Sequence, residues 1–325
     1  MGSVQVRRLI SPYVRRSGWK VAKNKAWYGR DNGLSFRMTL TMFLLGVLYL
    51  AFIAVLFALH VGIPLLVMII LFLLVSQLLF SDRLVLYATK ARMVDARQAP
   101  RLYAIVERLA QLADVPVPKL ALMPMRIPNA FTTGRSPKTA VITVTQGLLD
   151  RLDDEELEGV LAHEITHIKN RDVVVITYAS FFAMVASIIV QQFFLFGLMA
   201  EGGRGRGRNN SGQIIMLIWL ASFVVWAISY VLIRMLSRYR EYAADRGSAI
   251  LTGHPGYLVS ALTKIERGVK QSPSQDLRQA ESFNAFFIMP AINKGSLMEF
   301  LSTHPNFEHR MRYLEHIQQE MNKAR

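Results

Sequence analysis

Four runs of this 325-residue chain carry no charged side chain over lengths suited to a bilayer, and they limit its possible folds more than any other feature. Met38 to Leu59 is 22 residues, Ile63 to Phe80 is 18, Val173 to Ala200 is 28 and Gln213 to Ile233 is 21. About 20 apolar residues suffice for a helix to cross the hydrocarbon core. One long buried helix in a soluble protein is excluded for the first pair, because Gly62-Ile63-Pro64 interrupts the helical run. The connection His60-Val61-Gly62 is so short that these two runs must form a tight antiparallel hairpin. A Gly-rich, low-complexity loop, Glu201 to Gly212, joins the second pair. No Asp, Glu, Lys, Arg or His interrupts any run, which argues against a transport pathway and hence against a transporter or scaffold keeping a structural zinc.

Because the net charge is +15, basic residues must concentrate between the runs. Nine Lys or Arg fall in residues 1–37, thirteen in 81–172 and thirteen in 234–325, against three in the Gly-rich loop. The positive-inside tendency places both termini and the polar regions in the cytosol of a multi-pass cell-membrane protein, with Arg204, Arg206 and Arg208 as the exception. The basic tail with Trp19, Trp27 and Tyr28 is read as the flank of a span rather than a nucleic-acid site, so no nucleic-acid partner is expected. The chain divides into a basic tail (1–37), a transmembrane hairpin (38–80), a polar region (81–172), a second hairpin (173–236) and a C-terminal region (237–325). Nothing in the sequence fixes an oligomeric state.

Within 81–172, Pro100 to Ala113 has helical apolar spacing, and Lys119 to Met123, Asn129 to Thr133 and Thr139 to Thr145 are short β-prone runs. Next comes an acidic stretch, Asp153 to Glu156, suited to the positive end of a helix. That helix carries His163-Glu164-Ile165-Thr166-His167. Residues four apart share one helix face, so both imidazoles can reach one metal while Glu164 stands beside it as a general base. Downstream, Glu241 and Asp245 are again four apart. Glu241 completes a catalytic zinc set of two His, one Glu and water, and Asp245 is placed to accept the second N–H of an imidazole, that of His163. The chain has no cysteine, so the ligands must be nitrogen and oxygen, and one Zn²⁺ per chain is expected. Removing 64 residues of hairpin leaves 9 of the 73 between His167 and Glu241, which puts the site close to the membrane surface.

The motif around His163, then Ser237 to Asp245, then Ser302-Thr303-His304-Pro305 together resemble the HtpX-like membrane zinc endopeptidases, relatives of the CAAX prenyl endopeptidase. The likeness runs from the first apolar stretch to the C-terminal helix. It implies a mainly α integral membrane protein of about four transmembrane helices with a cytosolic zincin-like α+β metalloprotease region. It further implies that His304 donates to a tetrahedral oxyanion and that Arg310 supports that geometry. Asn129-Ala130-Phe131 resembles the family's substrate-edge motif, although Thr132 stands where many relatives have a small apolar residue. The implied partners are protein or peptide substrates and the lipid bilayer, and the implied task is quality control of misfolded or damaged membrane proteins. The alternative within the same chemistry is a processing peptidase for lipid-modified protein tails.

Overall fold

The computed structural model describes residues 32–58, 68, 72, 75, 87, 89–134, 136–200, 211–273 and 305–323. Among these are eight helices and a four-stranded sheet. In chain order they are α1 (Asn32–Ala58), β1 (Arg92–Val94), α2 (Pro100–Ala113), β2 (Lys119–Met123), β3 (Ala130–Thr133), β4 (Val141–Thr145), α3 (Gln146–Leu149), α4 (Asp154–Asn170), α5 (Asp172–Ala200), α6 (Ser211–Thr252), α7 (Pro255–Lys270) and α8 (Phe307–Lys323). The structure is mostly helical, with three described helices long and apolar enough to cross a membrane: α1, α5 and α6.

These three form one unit. Leu45, Tyr49, Phe52 and Leu56 of α1 pack with Ala179 and Ala186 of α5 and with Val225 and Leu236 of α6. The Tyr49 hydroxyl donates to the Ala179 carbonyl at 2.6 Å, which satisfies that buried polar group within the seam. Large apolar side chains on the outer faces, such as Phe43, Leu50 and Phe57 of α1 and Met216, Leu217 and Phe223 of α6, are exposed. In water this would be a liability; against acyl chains it is the expected surface. The second apolar run, Ile63 to Phe80, lies mostly outside the described residues, as do the basic tail, the loop over 201–210 and the segment 274–304. Helix α1 starts at Asn32, six residues ahead of the apolar run. The boundary drawn at 236/237 falls inside α6, a single 42-residue helix continuous from the span to the second acidic pair.

The second unit is built on the sheet, in the order β1-β2-β4-β3. β2 and β4 run parallel, while β1 and β3 flank them antiparallel as the two edges. β1 was not foreseen, since three residues show no alternation long enough to read. Leu120, Ile142 and Val144 of the sheet share a core with Val106 and Leu109 of α2, Val160, Leu161 and Ile165 of α4, Leu258 and Leu262 of α7, and Leu314 of α8.

Two close approaches fix α4 within this unit. A Cβ on Gly159 would meet the backbone of Tyr257 and Leu258 at 2.8–2.9 Å, so glycine is what lets α7 lie directly on α4. A Cβ on Gly247 would fall 2.2 Å from a methyl of Thr166, so glycine likewise lets α6 cross α4 closely. Ser248 Oγ seals that crossing by donating to the Gly159 carbonyl at 2.7 Å.

Candidate metal centre

Helix α4 begins where the acidic stretch predicts. Asp153 caps it, accepting from the Glu156 N–H at 3.0 Å, while Glu156 reaches back to the Asp153 N–H at 3.1 Å. The Glu156 carboxylate also receives Lys264 Nζ and Ser260 Oγ of α7, each at 2.6 Å, so the cap is tied into the core. Two turns later the same helix presents His163, Glu164 and His167, and α6 brings Glu241 to meet them across the Gly247 crossing.

His163, His167 and Glu241 offer ligand atoms that all lie within 4.8 Å of one another. The two Nε2 atoms are 3.1 Å apart, with Glu241 Oε2 3.5 Å from His163 Nε2 and Oε1 3.7 Å from His167 Nε2. Each imidazole turns its other nitrogen to a buried carboxylate. His163 Nδ1 lies 3.0 Å from Asp245 Oδ1, and His167 Nδ1 donates to Asp172 Oδ2 at 2.5 Å. With both protons held at Nδ1, the two Nε2 lone pairs converge on each other and on a carboxylate. That arrangement is repulsive by itself and complementary to a divalent cation. Burial pushes the His163 imidazole down, yet Asp245 and Glu241 outweigh it and carry it up to about 9. The excess of negative charge therefore favours a cation at this point: a proton on His163 when no metal is bound, and a divalent cation in its place when one is. Two nitrogens 3.1 Å apart can both stand about 2.0–2.1 Å from one zinc ion, so the residues fit that metal.

Around this set lie contacts of two kinds, foreseen and unforeseen. Arg310 is fully buried and forks onto Asp245, with Nε 2.9 Å from Oδ2 and Nη2 2.6 Å from Oδ1. Its Nη1 is 3.9 Å from Glu241 Oε2. Burial would push this guanidinium down, and the Asp245 charge overrides it. These contacts place Arg310 on Asp245, behind the metal set, and near Glu241 within it. His304 lies outside the described residues.

Asp172 has no antecedent in the sequence reading. Helical phase would carry position 172 well away from the face of His167, but Arg171 adopts a left-handed conformation (φ 56°) that ends α4 and turns the chain back. Asp172 then opens α5, almost completely buried, with Oδ1 3.2 Å from Arg240 Nε of α6. The imidazole of His167 is thereby linked to the start of α5 and, through Asp172, to the middle of α6.

The strand expected at Asn129 begins at Ala130, and β3 is an edge strand that runs beside α4. Asn129, Ala130 and Phe131 are buried; the Asn129 N–H donates to Thr145 Oγ1 at 2.8 Å. Thr132, singled out in the sequence only as a departure, donates its hydroxyl to Glu164 Oε2 at 2.8 Å. Thr132 and Thr133 share a shallow groove with His167, Arg171 and Asp172, so the strand edge leads to the exposed side of the metal set. Chemically the arrangement can hold one divalent cation and keep a carboxylate ready for a proton beside it, with β3 as the last strand of the described sheet alongside.

Comparison with known proteins agrees with this geometry. The family described as Peptidase family M48 matches residues 96–318. The Protease HtpX homolog of Moorella thermoacetica is 56% identical over 297 residues, covering 91% of this chain and 98% of that protein. The Protease HtpX homolog 2 of Methanosarcina acetivorans is 48% identical over 299 residues, covering 91% and 99%. Among solved structures, that of S. mikatae Ste24p has a TM-score of 0.54 at 17% identity over 87% of this chain and 67% of that one, a likeness of fold. Matched over so much of its length to these relatives, the chain belongs to the HtpX group of peptidase family M48 and is a metalloprotease.

Proposed function

We propose that this metalloprotease is a membrane-bound zinc endopeptidase that cuts misfolded or damaged membrane proteins on the cytosolic side. The observation that carries the reading is the convergence of two imidazoles and Glu241 beside Glu164, next to the edge strand β3 of the described sheet. His163, His167 and Glu241 would hold the zinc, which when bound polarises a substrate carbonyl and makes a water easier to deprotonate. Glu164 takes that proton and later delivers it to the leaving amine. Thr132, donating to Oε2, leaves Oε1 of Glu164 as the oxygen that moves the proton. Asp245 and Asp172 hold the imidazoles with their protons at Nδ1, and Arg310 keeps Asp245 charged and aimed. An extended substrate segment adds to β3 through main-chain hydrogen bonds, which tolerate many sequences and suit unfolded clients. His304 is assigned to the oxyanion on the family resemblance.

The cytosolic side is supported by the Lys and Arg distribution. Placing 1–37 on that same side is supported by packing, because Gly33, Leu34 and Arg37 at the start of α1 lie beside Tyr239 and Tyr242 of α6 and His309 of α8. Four spans, including Ile63 to Phe80, complete the proposed topology. The deciding experiment compares cleavage of an unfolded model protein by the wild type and by Glu164→Gln, with zinc measured in both. Loss of cleavage with zinc retained is expected; a zinc-loaded variant that still cuts would overturn the assignment of Glu164.

A further inference from the structure

A cavity of 420 Å³ lies outside the metal centre, lined by Gly33, Leu34 and Arg37 of α1, Tyr239 and Tyr242 of α6, and His309, Arg312 and Tyr313 of α8. Its size is in the range that holds small organic ligands. Among the described residues its lining brings two guanidiniums, an imidazole and three phenols together and includes no carboxylate. The described acid next to it, Glu308, pairs with Arg312 at 3.5 Å through side chains that are both 72% exposed. Such a pair is weak and exchanges readily for a stronger anion. Among the described residues Arg37 enters no ion pair.

Its level decides which anion it suits. The uncharged stretch of α1 begins at Met38, one residue after Arg37, and on α6 Tyr239 follows the end of the apolar run at Ile233 by less than two turns. The cavity therefore sits at the depth of the lipid headgroups, where tyrosine and arginine are favoured and phosphate is abundant. A phosphodiester fits this chemistry, because arginine forks pair with its oxygens and phenol hydroxyls donate to them. We propose that this cavity is a binding site for the phosphate headgroup of an anionic membrane phospholipid. It also abuts the metal centre, since Tyr242 follows Glu241 and Tyr313 lies one helical turn beyond Arg310, with the two rings edge to face at 5.1 Å. A bound headgroup would clamp α1, α6 and α8 together at the point where α6 and α8 carry the groups behind the zinc.

The test uses the full chain reconstituted in nanodiscs of phosphatidylcholine alone or of an equimolar mixture with phosphatidylglycerol. After extraction and washing, the lipid retained per protein is measured by mass spectrometry, and thermal unfolding is followed in both nanodisc types. Wild type is expected to retain phosphatidylglycerol selectively and to be stabilised by it. Arg37→Gln and Arg312→Gln should each weaken that retention several-fold, and together by about tenfold or more. Both side chains are exposed, and neither contacts the metal set, so zinc content should be unchanged and reports folding. Lys90→Gln with Arg92→Gln removes the same charge from another exposed basic pair and should leave retention intact. Equal retention of the two lipids, or equal losses from the two charge pairs, would overturn the proposal. Equal stabilisation by soluble glycerol phosphate in detergent would assign the site to a free phosphate instead and also overturn it.

Discussion

Replacing Arg310 with Met separates two roles for this residue: holding Asp245, or acting on the oxyanion as the family resemblance implies. Methionine is unbranched and flexible enough to occupy the vacated space, so the change is chiefly electrostatic. In the folded protein both Arg310 and Asp245 have no solvent exposure, and two guanidinium nitrogens stand 2.6 and 2.9 Å from the carboxylate. Removing one member of such a pair leaves a buried, unpaired charge at a cost of about 3–5 kcal/mol. For a chain of this size each kcal/mol moves the melting temperature by roughly 2–4 °C, so a fall of about 10 °C is expected. Asp245, released, loses its aim at His163 Nδ1, and zinc affinity should drop about 10- to 100-fold, the usual scale for such supporting contacts. The double variant Arg310→Met with Asp245→Asn removes both charges and should recover much of the melting temperature, but not the zinc affinity. Differential scanning fluorimetry and zinc competition with a chelator would follow both quantities. If Arg310→Met kept wild-type stability and zinc affinity while turnover fell about 100-fold, the residue would act on the reacting atoms and the argument through Asp245 would fail.

Three other substitutions probe the remaining contacts. Asp172→Asn should weaken zinc binding about 10- to 100-fold, as Asp245→Asn does, because each carboxylate holds one imidazole; an unchanged chelator titration would remove Asp172 from the centre. Thr132→Val should lower kcat about tenfold with zinc content and KM little changed, and Thr132→Ser should restore it, since only the hydroxyl on Glu164 is at issue; a loss confined to KM would instead make Thr132 a substrate contact. His304→Asn should lower turnover about 100-fold with zinc intact if the imidazole donates to the oxyanion, and unchanged turnover would remove His304 from the reaction.

Much of this centre was legible because short-range helical geometry sets it. The pair His163 and His167 and the pair Glu241 and Asp245 each share a face by spacing alone, and the acidic stretch marks the start of α4 through a capping box. Pro100 to Ala113 is helical over the expected residues, since its apolar period matches a surface helix packed on one face. What escaped notice depends on the chain leaving regular geometry or on distant packing. Asp172 reaches His167 only because Arg171 breaks the helix, and no period encodes that turn. The burial of Arg310 had a signal, for it begins the stripe continued by Leu314, Ile317 and Met321 that faces the core. Thr132 touches Glu164 through an edge strand, whose neighbour across space the sequence does not name. Gly159 and Gly247 read as weak points of helices until the elements crossing them are seen.

The two helices that bring His163, His167 and Glu241 together are joined to the long apolar helices in mechanically different ways. α4 is separated from α5 by the turn at Arg171, whereas α6 runs without a break from its apolar stretch to Glu241. Glu241 stands eight residues beyond Ile233, a lever arm of about 12 Å. A change in tilt of about 5° at Ile233, such as a thicker or thinner bilayer imposes, would displace its carboxylate by about 1 Å unless the Gly247 crossing and the Ser248–Gly159 bond resist it. A shift of that size is enough to alter catalysis by about two orders of magnitude. In the proposed membrane topology, the stiffness of this one helix would make the spacing of the candidate ligands answer to bilayer thickness.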